Sequence, residues 1–225
     1  ERWAVASGNR SNLRYLARFE TSNADLFSML HSAKGKYEKI LDHRLECLKY
    51  LKECGYQVGT GVMIGIPGQT LKDLCMDIRM FQQVDADMIG MGPYLMSEEA
   101  DLESLGQMEN KALFQLSLNM IAVTRLVMGN INIAAATALQ VLHPEGREIA
   151  IEYGCNVIMP NLSPTKFREG YQLYDHKPGL NDDPFHFGLH LEERIQSRGR
   201  EVGWNESGSS RKWLMKQENQ EQLAC

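Results

Sequence analysis

None of the five cysteines, Cys47, Cys54, Cys75, Cys155 and Cys225, is spaced as C-x-x-C or C-x-x-x-C-x-x-C. That absence excludes a recognisable zinc knuckle or iron–sulfur loop from this polypeptide. An odd number of widely separated cysteines, in a chain too large to need disulfide staples, points to a reducing compartment. Basic charge is scarce: 24 Lys and Arg against 29 Asp and Glu give a formal net charge of −5. Without a basic cluster there is no electrostatic footprint for nucleic acid or an anionic membrane, so neither partner is expected. No apolar run approaches the roughly 20 residues that span a bilayer, and the opening ERWAVASGNR holds no signal-peptide core. A G-x-S-x-G motif is missing, and the six histidines have no metal-ligand spacing. The chain is expected to be soluble, and none of its residues is assigned a catalytic or metal-ligating role.

What the chain does have is regular alternation. At 43% hydrophobic over 225 residues it can bury a sizeable core. Arg14 to Glu20 alternates as a strand, and Tyr37 to Cys54 carries leucines at helical spacing with Gly55 at C′. Gln57 to Ile66 is rich in Val, Ile and Gly, and Thr70 with Asp73 predicts an N-cap for the next helix. Met88 to Pro93 predicts a buried strand, followed by an acidic loop and a helix bearing Leu113, Leu116, Met120, Val123 and Val127. Ile131 to Ala136 predicts a fourth strand, Pro144 opens a helix ending near Gly154, and Val157 to Met159 predicts a fifth strand. Such alternation implies a parallel α/β fold, either a doubly wound sheet or a barrel. Four to five units make about half of an eight-unit (β/α) barrel of the TIM type. Residues 1–175 are assigned to the later part of that barrel, and residues 176–225 to a poorly packed C-terminal appendage with one amphipathic stretch, Leu189 to Ile195. The abrupt start at Glu1 suggests a piece of a longer protein.

Alternation puts Arg14, Leu16, Arg18 and Glu20 on one face of the first strand and Tyr15, Ala17 and Phe19 on the other. If the first face lines a barrel, its charges need mutual pairing or an anionic ligand. The alternative is an edge strand with a solvated face. The run Gly59 to Thr70, GTGVMIGIPGQT, fits either close approach of a ligand or tight packing plus a turn. Barrel sites form at strand C-terminal ends, here Glu20, Gly65 to Gly68, Gly92-Pro93, Ala136-Thr137 and Met159 to Asn161. Arg44 by itself reads as a solvated helix residue, and Tyr171 and Tyr174 as core or as a cover over a pocket.

Six segments in order, RYLARFETSN (14–23), GIPGQT (65–70), DMIGMGPY (87–94), MGNINIAAATALQ (128–140), PEGREIAIEYGCNVIMPNLSP (144–164) and YQLYDHKPG (171–179), resemble the HydE-type radical SAM maturases of FeFe-hydrogenases. The resemblance implies a radical SAM barrel in which a 4Fe–4S cluster reduces S-adenosyl-L-methionine to methionine and a 5′-deoxyadenosyl radical during H-cluster assembly. It implies that Glu20 and Arg44 hold S-adenosylmethionine, Arg44 on its carboxylate. By the same resemblance Arg14, Arg18, Thr137 and Met159 line an anion or substrate pocket near Tyr171 and Tyr174. The substrate would be an organometallic iron complex passed on from a sister maturase, so other hydrogenase maturases are possible partners. The chain departs from the pattern in three places: it lacks the cluster-binding cysteines, carries Ala136 in place of the first of two threonines, and reads LMSEEADLES after Tyr94. The cluster is therefore expected in a full-length parent, and this chain alone should not cleave S-adenosylmethionine. Competing expectations are a degenerate, non-catalytic paralogue that binds a partner, and a biotin synthase or methylornithine synthase type of radical SAM enzyme. The cytoplasm is the default location, with hydrogenosome, mitochondrion or plastid as alternatives.

Overall fold

Four strands pair in parallel in chain order: β1 (Arg14–Leu16), β2 (Gln57–Ile64), β3 (Met88–Pro93) and β4 (Asn132–Ala135). This computed structural model describes residues 13–31, 41–96, 106–160, 164–167 and 184–224. A strand order that never reverses is barrel winding, whereas a doubly wound sheet reverses at its switch point. The helices are α1 (Ala24–Leu30), α2 (Leu41–Glu53), α3 (Leu71–Gln83), α4 (Asn110–Met128), α5 (Leu139–Leu142), α6 (Gly146–Glu152), α7 (Pro184–Gln196) and α8 (Arg211–Ala224), with a 3₁₀ turn at Thr165–Phe167.

Local chemistry fixes the helix ends. The Tyr56 amide donates to the Leu51 carbonyl and Gly55 to Lys52, with Gly55 at φ +82°, which closes α2 in a Schellman motif. Thr70 and Asp73 form a reciprocal capping box at the start of α3. Helix α1 was not anticipated, although Asn23 caps it by accepting from the Asp25 and Leu26 amides.

The two faces of the sheet differ in size and polarity. Val58, Val62, Ile64, Ile89, Met91 and Ile133 point outward and are buried in one core with Leu48, Ile78, Phe81, Leu118 and Ile121. Each such side chain contributes about 1.5–3 kcal/mol on burial. Toward the barrel axis the register aligns Gly61 with Gly90 and Ala134, and Met63 with Gly92. Small residues there leave the interior open. Leu16, on the same inward face, is 41% exposed.

Two later elements differ from expectation. The fifth strand shrinks to one bridge, Ala134 to Val157. Asn156 is held back by Arg125 and Asn132, and Pro160 supplies no amide to extend the ladder. The helix after Pro144 begins only at Gly146, where a Cβ would lie 2.2 Å from the Leu139 carbonyl of the unanticipated α5.

The tail is not poorly packed where it is described. Helix α7, which contains the anticipated Leu189 to Ile195 stretch, buries Leu191 and Ile195 against Ile151. Its Arg194 reaches Glu148 at 2.9 Å, and Arg198 reaches Glu152 at 2.8 Å and Glu145 at 3.2 Å. The segment leading into α8 passes beneath the N-terminal ends of the strands. Gln57 donates to the Ser209 hydroxyl at 2.9 Å, Asn132 to the Gly208 carbonyl at 2.9 Å, and Lys212 to the Ala86 carbonyl at 2.9 Å. Asp85 receives Lys52, Lys212 and Lys216. Burial opposes its ionisation, but hydrogen bonds from Lys212, Lys216 and Lys52 outweigh it and hold the carboxyl well below the usual range.

Candidate functional site at the strand C-terminal ends

Strand β1 does not run straight to Glu20. The Ala17 amide donates to the Gly59 carbonyl at 2.9 Å and the Glu20 amide to the Gly61 carbonyl at 3.0 Å. Three residues of β1 therefore advance against two of β2, a bulge that re-aims the side chain. Glu20 takes φ +66°, a left-handed conformation that costs a non-glycine residue about 1–2 kcal/mol. Surrounding contacts hold it there. The Phe19 ring packs on Phe81 with centroids 5.6 Å apart, and the Ser22 amide and hydroxyl both donate to Asp77 Oδ1 at 2.6 Å. Asn23 Nδ2 donates to Asp73 Oδ1 at 2.9 Å.

Arg18 stretches across Gly61, where an added Cβ would come within 3.3 Å of its Cγ. Its Nη2 donates to the Val62 carbonyl at 2.7 Å and lies 3.0 Å from Glu20 Oε2, while its buried Nε–H has no acceptor. Burial pushes the Glu20 carboxyl up, against the opposing pull of Arg18 and then of Arg44 on α2. Glu20 thus feels two guanidinium groups from different elements, one paired with it and one acting by charge alone. The exit of β2 beside it is locked by Gln69, which accepts from the Gly65 amide at 2.7 Å and donates to the Met63 carbonyl at 3.1 Å.

Sequence reasoning missed Asp77 and Ser22. Asp77 is fully buried, and burial pushes its carboxyl up to about 6 although Ser22 hydrogen bonds favour the charged form. Its pKa is higher folded than unfolded, so the stability it contributes is present below the unfolded value and is lost as pH rises through about 6. Stability measured by urea unfolding is expected to fall by at most about 3 kcal/mol from pH 4 to pH 7 through this group. Asp77→Asn should flatten that part of the profile; an unchanged profile would remove Asp77 as its source.

Of the anticipated site residues, Arg18 and Glu20 pair at 3.0 Å, and Arg44 on α2 acts on Glu20 by charge. Half-buried Thr137 sits at the β4 exit, its carbonyl accepting from the Gln140 amide at 2.9 Å. Met159, 55% exposed, follows the Val157 bridge. Arg14 is not part of the group. It lies at the opposite end of β1, and its guanidinium is taken by the Ser207 carbonyl and, at 3.1 Å, the Ser209 hydroxyl. Tyr171 and Tyr174 lie outside the described residues, as does most of the loop after Tyr94.

The arrangement suits a ligand carrying both charges, a carboxylate for an arginine and a cationic group for Glu20. Arg44 and the αL-held Glu20 offer opposite charges to such a ligand, and the buried Arg18 Nε–H offers a further donor to an anion. The described residues do not fit an iron–sulfur cluster. Among the described residues no three His, Cys, Asp or Glu are grouped to hold a metal ion, and the sequence has no C-x-x-x-C-x-x-C. No described helix is long and apolar enough to cross a membrane.

These features define a partial parallel β/α barrel with a charged site at its strand exits. The chain superposes on the crystal structure of methylornithine synthase (PylB) with a TM-score of 0.63, covering 85% of this chain and 52% of that one. Their 20% identity makes this a likeness of fold alone. In sequence, the chain is 41% identical over 177 residues to the FeFe hydrogenase maturase subunit HydE of Thermotoga maritima, 79% of this chain and 47% of that protein. It is a homologue of HydE that spans about half the length of this curated relative. No protein-family model matches the sequence.

Proposed function

We propose that this chain supplies the later part of a radical SAM barrel that acts in assembly of the FeFe-hydrogenase H-cluster. The observation that carries the reading is the part-buried Glu20 carboxylate, paired with Arg18 and within the electrostatic reach of Arg44, at the barrel's C-terminal face. In this reading Arg44 pairs with the carboxylate of S-adenosylmethionine and Glu20 with its cationic groups. S-adenosylmethionine, when bound, supplies radical chemistry. Arg18 spans both subsites: one nitrogen steadies Glu20 and the Val62 carbonyl, and its Nε–H remains for an anionic iron-complex substrate. Thr137 and Met159 at the neighbouring strand exits complete the substrate rim, with Tyr171 and Tyr174 as further candidates. The 4Fe–4S ligands belong to another part of the barrel, and the other hydrogenase maturases are the proposed partners.

Calorimetry tests the reading on the full chain, alone and mixed with a polypeptide carrying the cluster loop of a HydE homologue. Binding of S-adenosylmethionine is expected in at least the mixture. Glu20→Gln, which keeps size and removes charge, should weaken it about 10- to 100-fold, the worth of one charge-assisted hydrogen bond of about 1.5–3 kcal/mol. No binding by the mixture, or equal binding by the variant, would reject the assignment.

A further inference from the structure

Helix α3 has a stripe of three residues, Asp73, Asp77 and Phe81, spaced i, i+4 and i+8 along one face. They grip the exit of β1 in reverse chain order. Asp73 holds Asn23 at 2.9 Å, Asp77 holds both donors of Ser22 at 2.6 Å, and Phe81 packs on Phe19. Glu20 stands inside this clamped stretch with φ +66°. A glutamate does not rest in that conformation unaided, because the left-handed well is disfavoured for any residue with a Cβ. The same helix is fixed at its start by the Thr70–Asp73 capping box, directly after the turn that Gln69 locks. A carboxylate buried as completely as Asp77 is costly, and an apolar side chain would fill the position with less penalty. The two Ser22 bonds are what the aspartate supplies and an apolar side chain would not.

We infer that Asp77 is a positioning residue, which through Ser22 holds the β1 bulge in the conformation that aims Glu20 into the ligand site. Asp73 supports it through Asn23. The inference rests on the reading of Glu20 as an S-adenosylmethionine ligand only for its functional consequence; the clamp itself has a separate readout.

The test compares Asp77→Leu, Asp77→Asn and the wild-type full chain by residue-resolved amide exchange and by S-adenosylmethionine titration of the mixture described above. Asparagine keeps an Oδ1 that accepts both Ser22 donors, whereas leucine keeps only the bulk. Asp77→Leu should speed exchange of the Glu20 to Asn23 amides at least tenfold while leaving the Val58 and Val62 amides of β2 unchanged. Its ligand affinity should fall at least tenfold, and Asp77→Asn should restore both readouts to within about threefold of wild type. If Asp77→Leu does not fold, Asp77→Ala removes the acceptor of both Ser22 donors without the bulk of leucine and should show the same local loss. Wild-type exchange at Glu20 to Asn23 in either unclamped variant would overturn the inference. If wild type binds no S-adenosylmethionine, the functional reading fails, and exchange alone decides whether the clamp exists.

Discussion

Replacing Gly61 by alanine is expected to cost more than about 3 kcal/mol, because the new methyl has backbone, not side chain, in its way. An ideal Cβ there would lie 1.8 Å from the Gly90 carbonyl oxygen and 2.8 Å from its carbon. Rotamer change cannot relieve a backbone overlap, so β2 and β3 would have to part across the centre of the sheet. Gly90→Ala is the control, since its Cβ would meet only Leu16 Cδ1 at 3.8 Å and the Thr60 carbonyl at 4.0 Å, ordinary contact distances. That variant should stay within about 1 kcal/mol of wild type. Thermal unfolding by circular dichroism should put Gly61→Ala roughly 6–12 °C below wild type, given about 2–4 °C per kcal/mol at this size. Equal melting of the two variants would show that Gly61 is not a close-approach position. The glycine also bears on the site, because a methyl would press within 3.3 Å of Arg18 Cγ. Loss of stability and displacement of the guanidinium should therefore appear together.

Much of this architecture was legible because it follows from periodicity. Met88 to Pro93 emerges with the anticipated bounds, and Thr70 with Asp73 forms the anticipated cap. Barrel logic also brought Glu20 to the strand exits beside the GIPGQT turn. Arg44 needed the family resemblance, since an arginine on a helix has no distinguishing local signal. What stayed hidden depends on contacts distant in sequence. Simple alternation put Arg14 and Arg18 on one face but gave no warning that the tail would occupy Arg14. It also passed over the extra residue before Glu20, as a bulge leaves no composition signal when the left-handed residue is not glycine. Asp77 was readable in principle: an aspartate between Leu74, Ile78 and Phe81 on a buried face demands a partner. Its partner, 55 residues earlier, was not.

The tail yields the second large effect. Glu148 is 1% exposed, its carboxylate oxygens have no hydrogen bond, and its ion-pair contact is Arg194 at 2.9 Å from α7. Truncating Arg194 to alanine strands that charge in the interior. Removing one partner of a fully buried pair costs about 3–5 kcal/mol, because the remaining ion has lost water and counterion together. The Arg194 side chain is 38% exposed, so solvent screens the pair and about 2–3 kcal/mol is the expected loss. Neutralising the stranded acid should recover part of it: Arg194→Ala with Glu148→Gln should unfold at higher urea than Arg194→Ala alone. A double-mutant cycle should give a coupling of at least about 1 kcal/mol. Limited proteolysis locates the effect, since α7 also relies on Leu191 and Ile195 against Ile151 and should become cleavable before the sheet does. A coupling near zero, with α7 as protected as in wild type, would mean that apolar contacts alone dock the tail and that the Arg194–Glu148 pair is incidental.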